Sequence, residues 1–162
     1  MPVDTVKAPR RELSFKCLGC LAGELDRIEA AHAAGALRTT GNWTAAEAID
    51  HCAILFEVAL DGAPKQAPLF VRLIGRMMKS SALKPRTMRA GFKLPAGASY
   101  LLPRPGVAFD DAMGRMRRAL ARIDRGEKMD KPSAWLGPMT HDEWVRLQIN
   151  HTQLHLGFIA YA

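Results

Sequence analysis

A chain of 162 residues that is 48% hydrophobic and 24% charged has the proportions of one folded domain, not of a disordered segment. At that length about 70% of the unfolded surface can be buried, so neither a disulfide nor a metal is needed merely to fold. No apolar run approaches the roughly 20 residues that cross a bilayer. The net charge of +7 is concentrated in one stretch. Between Gly62 and Phe109 stand Lys65, Arg72, Arg76, Lys79, Lys84, Arg86, Arg89, Lys93 and Arg104 with no acidic residue among them, while the remainder carries 14 basic against 16 acidic residues.

At the beginning of the chain, Arg10-Arg11 followed by Phe15 resembles a twin-arginine signal, but Lys16, Glu24 and Asp26 interrupt what should be an uncharged core. The stretch therefore reads as leading into a folded first helix, and the protein as cytoplasmic. That helix is expected over about Ser14 to His32. Leu18, Leu21, Ala22, Leu25, Ile28 and Ala31 recur at spacings of three and four, and Gly35 is placed to stop it. Cys17 and Cys20 form a C-x-x-C, a spacing used by redox dithiols and by half of a zinc site. A redox pair usually sits where a strand enters a helix, and Cys52 alone cannot complete a zinc site. The pair reads instead as small residues along a buried helix.

A second helix begins at Thr44, where Thr44-Ala-Ala-Glu47 is a capping box, and its apolar stripe runs through Ala48, Leu55, Val58 and Ala59 to Asp61-Gly62. A third runs from Asp110 to Asp124, with Ala112, Met113, Met116, Leu120 and Ile123 inward, arginines outward and Gly126 at its end. The fourth opens with a second capping box, Thr140-His-Asp-Glu143, and continues to the C-terminus with Trp144, Leu147, Leu154 and Phe158 inside. The second and third are joined by nearly fifty residues, too long for an idle loop. Its opening, Pro68 to Met78, reads as a short helix with Phe70, Leu73, Ile74 and Met77 on one side, and alternation at Ser99 to Leu102 hints at a strand. The pattern predicts a single all-α domain over residues 1–162, an up-down four-helix bundle with one elaborated crossover.

Three of the five histidines occupy inward positions. At about 100° per residue, His151 and His155 share a sector of the last helix with Trp144, Leu147, Leu154 and Phe158, at the i, i+4 spacing that lets two imidazoles reach one ion. His51 lies on the inward stripe of the second helix. An imidazole nitrogen left unpaired in a core costs on the order of 1–3 kcal/mol. A divalent metal removes that cost for one nitrogen per ring. Neutral imidazoles suit zinc or nickel first, with iron, copper or manganese also compatible, and three of them leave coordination positions open. Glu47, Gln148 and Asn150 are the nearby polar groups that would orient the rings. The bland alternative is three core histidines, each bonded to a carbonyl or a neighbouring side chain. His32 and His141 sit near helix ends and read as surface residues.

The stretch Gly41-Asn-Trp-Thr-Ala-Ala-Glu-Ala-Ile-Asp-His51 with Asp61-Gly62, and the later Leu136-Gly-Pro-Met-Thr-His-Asp-Glu-Trp144 running into His151-Thr-Gln-Leu-His155-Leu156, resemble an uncharacterised branch of the DinB-like (YfiT-like) superfamily. The resemblance covers nearly the whole chain in the right order. It implies a four-helix bundle whose metal is held by one histidine of the second helix and two of the last, which by position are His51, His151 and His155. It further implies relatives that activate a low-molecular-weight thiol on the ion, and dimers. Two stretches depart from that pattern. Ser133-Ala134-Trp135-Leu136 stands where a histidine and proline are usual, and Gly157-Phe158 where Arg-Gln is usual.

Two functional classes follow. In the first the chain is a metal-dependent enzyme, an S-transferase whose ion lowers the pKa of a thiol or water and presents it to a small electrophilic substrate, with Arg72 or Arg76 holding an anionic group. In the second it is a non-catalytic metal-binding or structural bundle acting through a partner. Phe70, Phe92, Tyr100 and Phe109 are too widely spaced in the basic crossover to suggest nucleic-acid recognition, so that stretch reads as a solvated face. No serine-triad ordering, phosphate-binding glycine loop or paired-carboxylate signature is present.

Overall fold

The structure, a computed structural model, describes residues 2–84, 88–92, 94 and 96–161. Arg86 and Lys93 of the basic stretch lie outside the described residues. The fold is mostly helical: α1 Leu18–Ala33, α2 Ala45–Asp61, α3 Leu69–Ala82, α4 Phe109–Asp124 and α5 His141–Leu156. A 3-10 turn at Ala96–Leu101 precedes α4, and two short strands, β1 Arg38–Thr39 and β2 Ile159–Ala160, pair antiparallel.

The centre of the packing is α2. Of its 17 residues 13 are buried, because alanines at several points of its circumference let α4 and α5 approach on different sides. Both capping boxes form as expected. Thr44 accepts from the Glu47 amide while Glu47 reaches back to the Thr44 amide, and Thr140 and Glu143 do the same for α5. On α4, Ala112, Met113, Met116, Ala119 and Leu120 are buried. Its outward arginines are staples: Arg117 reaches Asp26 and Glu29 of α1, and Arg122 reaches Asp61 of α2 and Glu127.

Several boundaries differ from the expectation. The first helix starts at Leu18, not Ser14, because Cys17 is extended (φ −157°, ψ 168°) and caps it. Cys17 and Cys20 are exposed, not buried along its face. The last helix stops at Leu156, and the residues beyond it turn into β2. The extended segment before α1 docks there. The Arg11 amide donates to the Gly157 carbonyl at 2.8 Å, and its guanidinium to the Ile159 carbonyl at 2.6 Å and to buried Glu24 at 2.6 Å. The twin-arginine look-alike is thus a folded strap. The strand hinted at Ser99 to Leu102 is the 3-10 turn.

The short crossover helix exists as α3, but its orientation is inverted. Leu69, Phe70, Leu73, Ile74, Met77 and Met78 face solvent, and none of its residues is buried. The side turned to the rest of the protein is polar or small. Lys79 Nζ pairs with Glu143 at 2.7 Å and donates to the Pro138 carbonyl at 2.6 Å, and Gly75 lies against the Trp135 carbonyl. A Cβ at position 75 would fall 2.2 Å from that oxygen, well inside contact distance. Gly75→Ala is therefore expected to undock α3 while leaving the core in place: amide exchange across 69–82 should accelerate at least tenfold, with little change in the urea midpoint of global unfolding.

Candidate metal centre

The bundle face of α2 presents His51, and one turn apart on α5 stand His151 and His155. The three rings meet. Their centroids are 4.8 Å apart for His51–His151, 4.5 Å for His51–His155 and 4.5 Å for His151–His155. One nitrogen from each can be chosen so that all three lie within 4.8 Å of one another, and among the described residues no other histidine, cysteine or carboxylate joins the group.

The chemistry of the donor set can be read from the partners. The Leu101 carbonyl, 2.5 Å from His51 Nδ1, can only accept, so Nδ1 carries the proton and Nε2 offers a lone pair. His51 Nε2 faces His151 Nε2 at 3.0 Å. Two imidazoles bound to one ion at about 2.0–2.1 Å would hold their nitrogens roughly 3.0–3.4 Å apart, so the spacing fits a shared ion. Burial lowers all three imidazole pKa values. For His51 the Leu101 bond and the nearby Asp50 charge oppose that effect only in part. For His151 and His155 the neighbouring rings add to it and push the values well below 6.5. All three are neutral at physiological pH, the form that ligates. His51 is buried, and His151 and His155 are half-buried.

Among the described residues no hydrogen bond ties Glu47, Gln148 or Asn150 to the three rings. Glu47 is committed to the Thr44 cap. Gln148 is fully buried and donates to the Leu55 carbonyl at 2.9 Å, and Asn150 donates to the Lys84 carbonyl at 2.8 Å. The acceptor that fixes His51 is the Leu101 backbone, delivered by the crossover. What holds the crossover there is Asp50, the residue before His51. Its carboxylate has no solvent exposure and receives the Arg104 amide at 2.9 Å, the Arg104 guanidinium at 2.8 Å and Arg115 at 3.0 Å. Burial alone would raise the Asp50 pKa, but these bonds outweigh it and hold the carboxyl below its ordinary range. Arg115 is shared with Glu57 of α2. Arg104, one of the nine basic residues of the crossover, is therefore a clamp as well as a partly solvated cation.

Trp43 completes the site, and the sequence reading passed over it. Its ring stacks on His155 at 5.2 Å and tilts over His51 at 4.7 Å. Its place directly before a capping box, eight residues from His51, was the available signal. Arg72 and Arg76 lie on α3, and among the described residues no contact ties either to the three rings. His141 accepts the Met129 amide, and His32 stacks on Phe109. Cys52 is fully buried, and burial pushes its thiol up to about 12.

Two outcomes follow from this geometry. Asp50→Asn leaves Arg104 without its charge partner and Arg115 with Glu57 alone. Because both arginines are partly solvated, the expected loss is about 2–3 kcal/mol of stability by urea unfolding, below the full cost of breaking a buried pair. The second concerns pH. As pH falls through 6.5 the unfolded imidazoles bind protons while the folded ones, with lowered pKa values, do not. The metal-free protein should then lose stability below pH 6.5, by up to ~1.4 kcal/mol per pH unit per ring. Replacing His151 and His155 together should flatten that slope.

No curated protein and no solved structure matches this chain. Residues 7–161 match the family described as "Protein of unknown function (DUF1569)", and with nearly its whole length covered the chain belongs to that family.

Proposed function

We propose that the chain is a three-histidine metalloprotein of the DinB-like type, with α1, α2, α4 and α5 as an up-down four-helix bundle, and that it acts as a metal-dependent S-transferase on a small electrophile. The observation that carries this reading is the convergence of three neutral imidazoles from two helices, with a tautomer at His51 that leaves the inward nitrogen its lone pair. A divalent ion held there, zinc or nickel by the all-nitrogen donor set, would supply Lewis acidity that lowers the pKa of a bound thiol or water.

The chain's own residues do the rest. Leu101 and the Asp50 clamp hold His51 in one tautomer and one orientation. The i, i+4 spacing on α5 brings the other two rings together edge to face. Trp43 covers one side of the group with apolar surface, which favours a thiol over bulk water next to it. Among the described residues no carboxylate joins the three candidate ligand atoms.

The test begins with metal analysis of protein purified without a histidine tag, which should show near one ion per chain and none in His151→Ala. Copper(II) or nickel(II) added to metal-free protein should quench tryptophan emission through Trp43, and Trp43→Phe should remove most of that quenching. Loss of free thiol in mixtures of a small thiol and an electrophile should then require the ion. If the double variant His151→Ala/His155→Ala binds zinc as the parent does, the site is wrong. If metal binds and no thiol–electrophile pair turns over, the non-catalytic metal-binding reading replaces the enzyme.

The same reading includes a homodimer, for which the outward apolar face of α3 is the surface offered. Light scattering should show twice the chain mass, falling to one in Leu73→Glu/Met77→Glu.

A further inference from the structure

The C-x-x-C before α1 belongs to no part of the metal centre, yet its geometry is that of a working pair. Cys17 is the N-cap, extended at φ −157° and ψ 168°, so the backbone enters the helix as it would from a strand although no sheet strand precedes it. Cys20 is the third helical residue. Its amide donates to Cys17 Sγ at 3.3 Å, and the two sulfurs are 3.0 Å apart. Both side chains are exposed, and the first turn of α1 contains no acidic residue to repel a thiolate. A structural zinc would require two more ligands, and among the described residues the only group of three or more candidate ligands is the histidine cluster.

We propose that Cys17 and Cys20 are a redox-active dithiol that exchanges with low-molecular-weight disulfides, a second activity independent of the metal centre. The attacking group is Cys20. Cys17 Sγ, which itself accepts the Cys20 amide, stands 3.0 Å from Cys20 Sγ, so its S–H can donate to a Cys20 thiolate and lower the Cys20 pKa, with backbone bonds around Lys16 and Cys17 adding to the effect. The Cys20 thiolate attacks one sulfur of a disulfide R–S–S–R, forming Cys20–S–S–R and expelling one thiolate. The Cys17 thiolate then attacks Cys20 Sγ, forming the Cys17–Cys20 bond and expelling the second. Two protein thiols are oxidised by two electrons, one disulfide is reduced to two thiols, and the two protons leave with the products. Closing the internal bond moves the sulfurs by only about 1 Å, from their present separation to about 2.05 Å. Buried Cys52 takes no part.

The full chain, treated with EDTA, is mixed with hydroxyethyl disulfide and analysed by intact mass. The expected product has lost two hydrogens, carries no adduct and has released two equivalents of mercaptoethanol. Cys17→Ala should instead accumulate one mercaptoethanol adduct on Cys20, and Cys20→Ala should react at least tenfold more slowly. Equilibration with reduced and oxidised dithiothreitol then separates a built site from two nearby thiols. The helix N-terminus and the Cys20 amide favour the reduced pair, so its disulfide should be at least ten times more readily reduced in the folded chain than in urea, about 30 mV. Stable double adducts with no internal bond would overturn the proposal. So would the same equilibrium in folded and unfolded chain, or a zinc ion lost specifically from Cys17→Ser/Cys20→Ser. Because none of these measurements involves the histidines, failure here and failure of the metal reading are separately visible.

Discussion

Asp50 is a carboxylate with no exposure to water, placed one residue before the first histidine of the cluster. A charge in that position is tolerable only when its lone pairs are met, and here an amide and two guanidinium groups meet them. That requirement has a structural consequence. Arg104 and its neighbours must lie against α2, and Leu101, three residues earlier, is thereby carried to His51. The carbonyl that sets the His51 tautomer is in place because a buried charge next door needs its partner. Arg115, reaching the same carboxylate from α4 and Glu57 on α2, ties the third element into the arrangement.

The centre is therefore built from the inside of the fold outward. Small residues around α2 let α4 and α5 pack closely on it, and this packing brings His51 toward His151 and His155. The long crossover closes one side of the site with backbone, and Trp43, ahead of the α2 cap, closes another with an aromatic ring. Each ring lies where burial keeps it neutral, so the cluster exists as a set of lone-pair donors and not as three mutually repelling cations.

Two features stand apart from this centre. The apolar face of α3 points outward because the opposite side is the one that can dock: Gly75 admits the Trp135 carbonyl, and Lys79 finds Glu143. The exposed dithiol at the start of α1 results from the helix beginning at Leu18, four residues after the expected Ser14, which turns Cys17 from a helical residue into a cap.

How much of this was legible follows from what a helical period contains. Spacing along one chain segment gives relative angles on one helix, so the placement of His151 and His155 one turn apart on one face, the inward stripe bearing His51 and both capping boxes could be read directly. Side-chain chemistry added why three imidazoles on apolar faces ask for a common partner. Periodicity says nothing about which backbone carbonyl, fifty residues away, will bond the second ring nitrogen. A carbonyl has no residue identity, so Leu101 carried no signal, and Glu47 was offered its role because it was close in sequence. An amphipathic pattern likewise does not say which way it faces. On α3 the usual inference of apolar side inward fails, because the close approach at Gly75 decides the orientation. The amino-acid sequence alone determined the helices, their caps and the three rings. Only tertiary packing decided what orients those rings, what covers them and which apolar surface was left outside, because these depend on contacts between distant segments that no local pattern encodes.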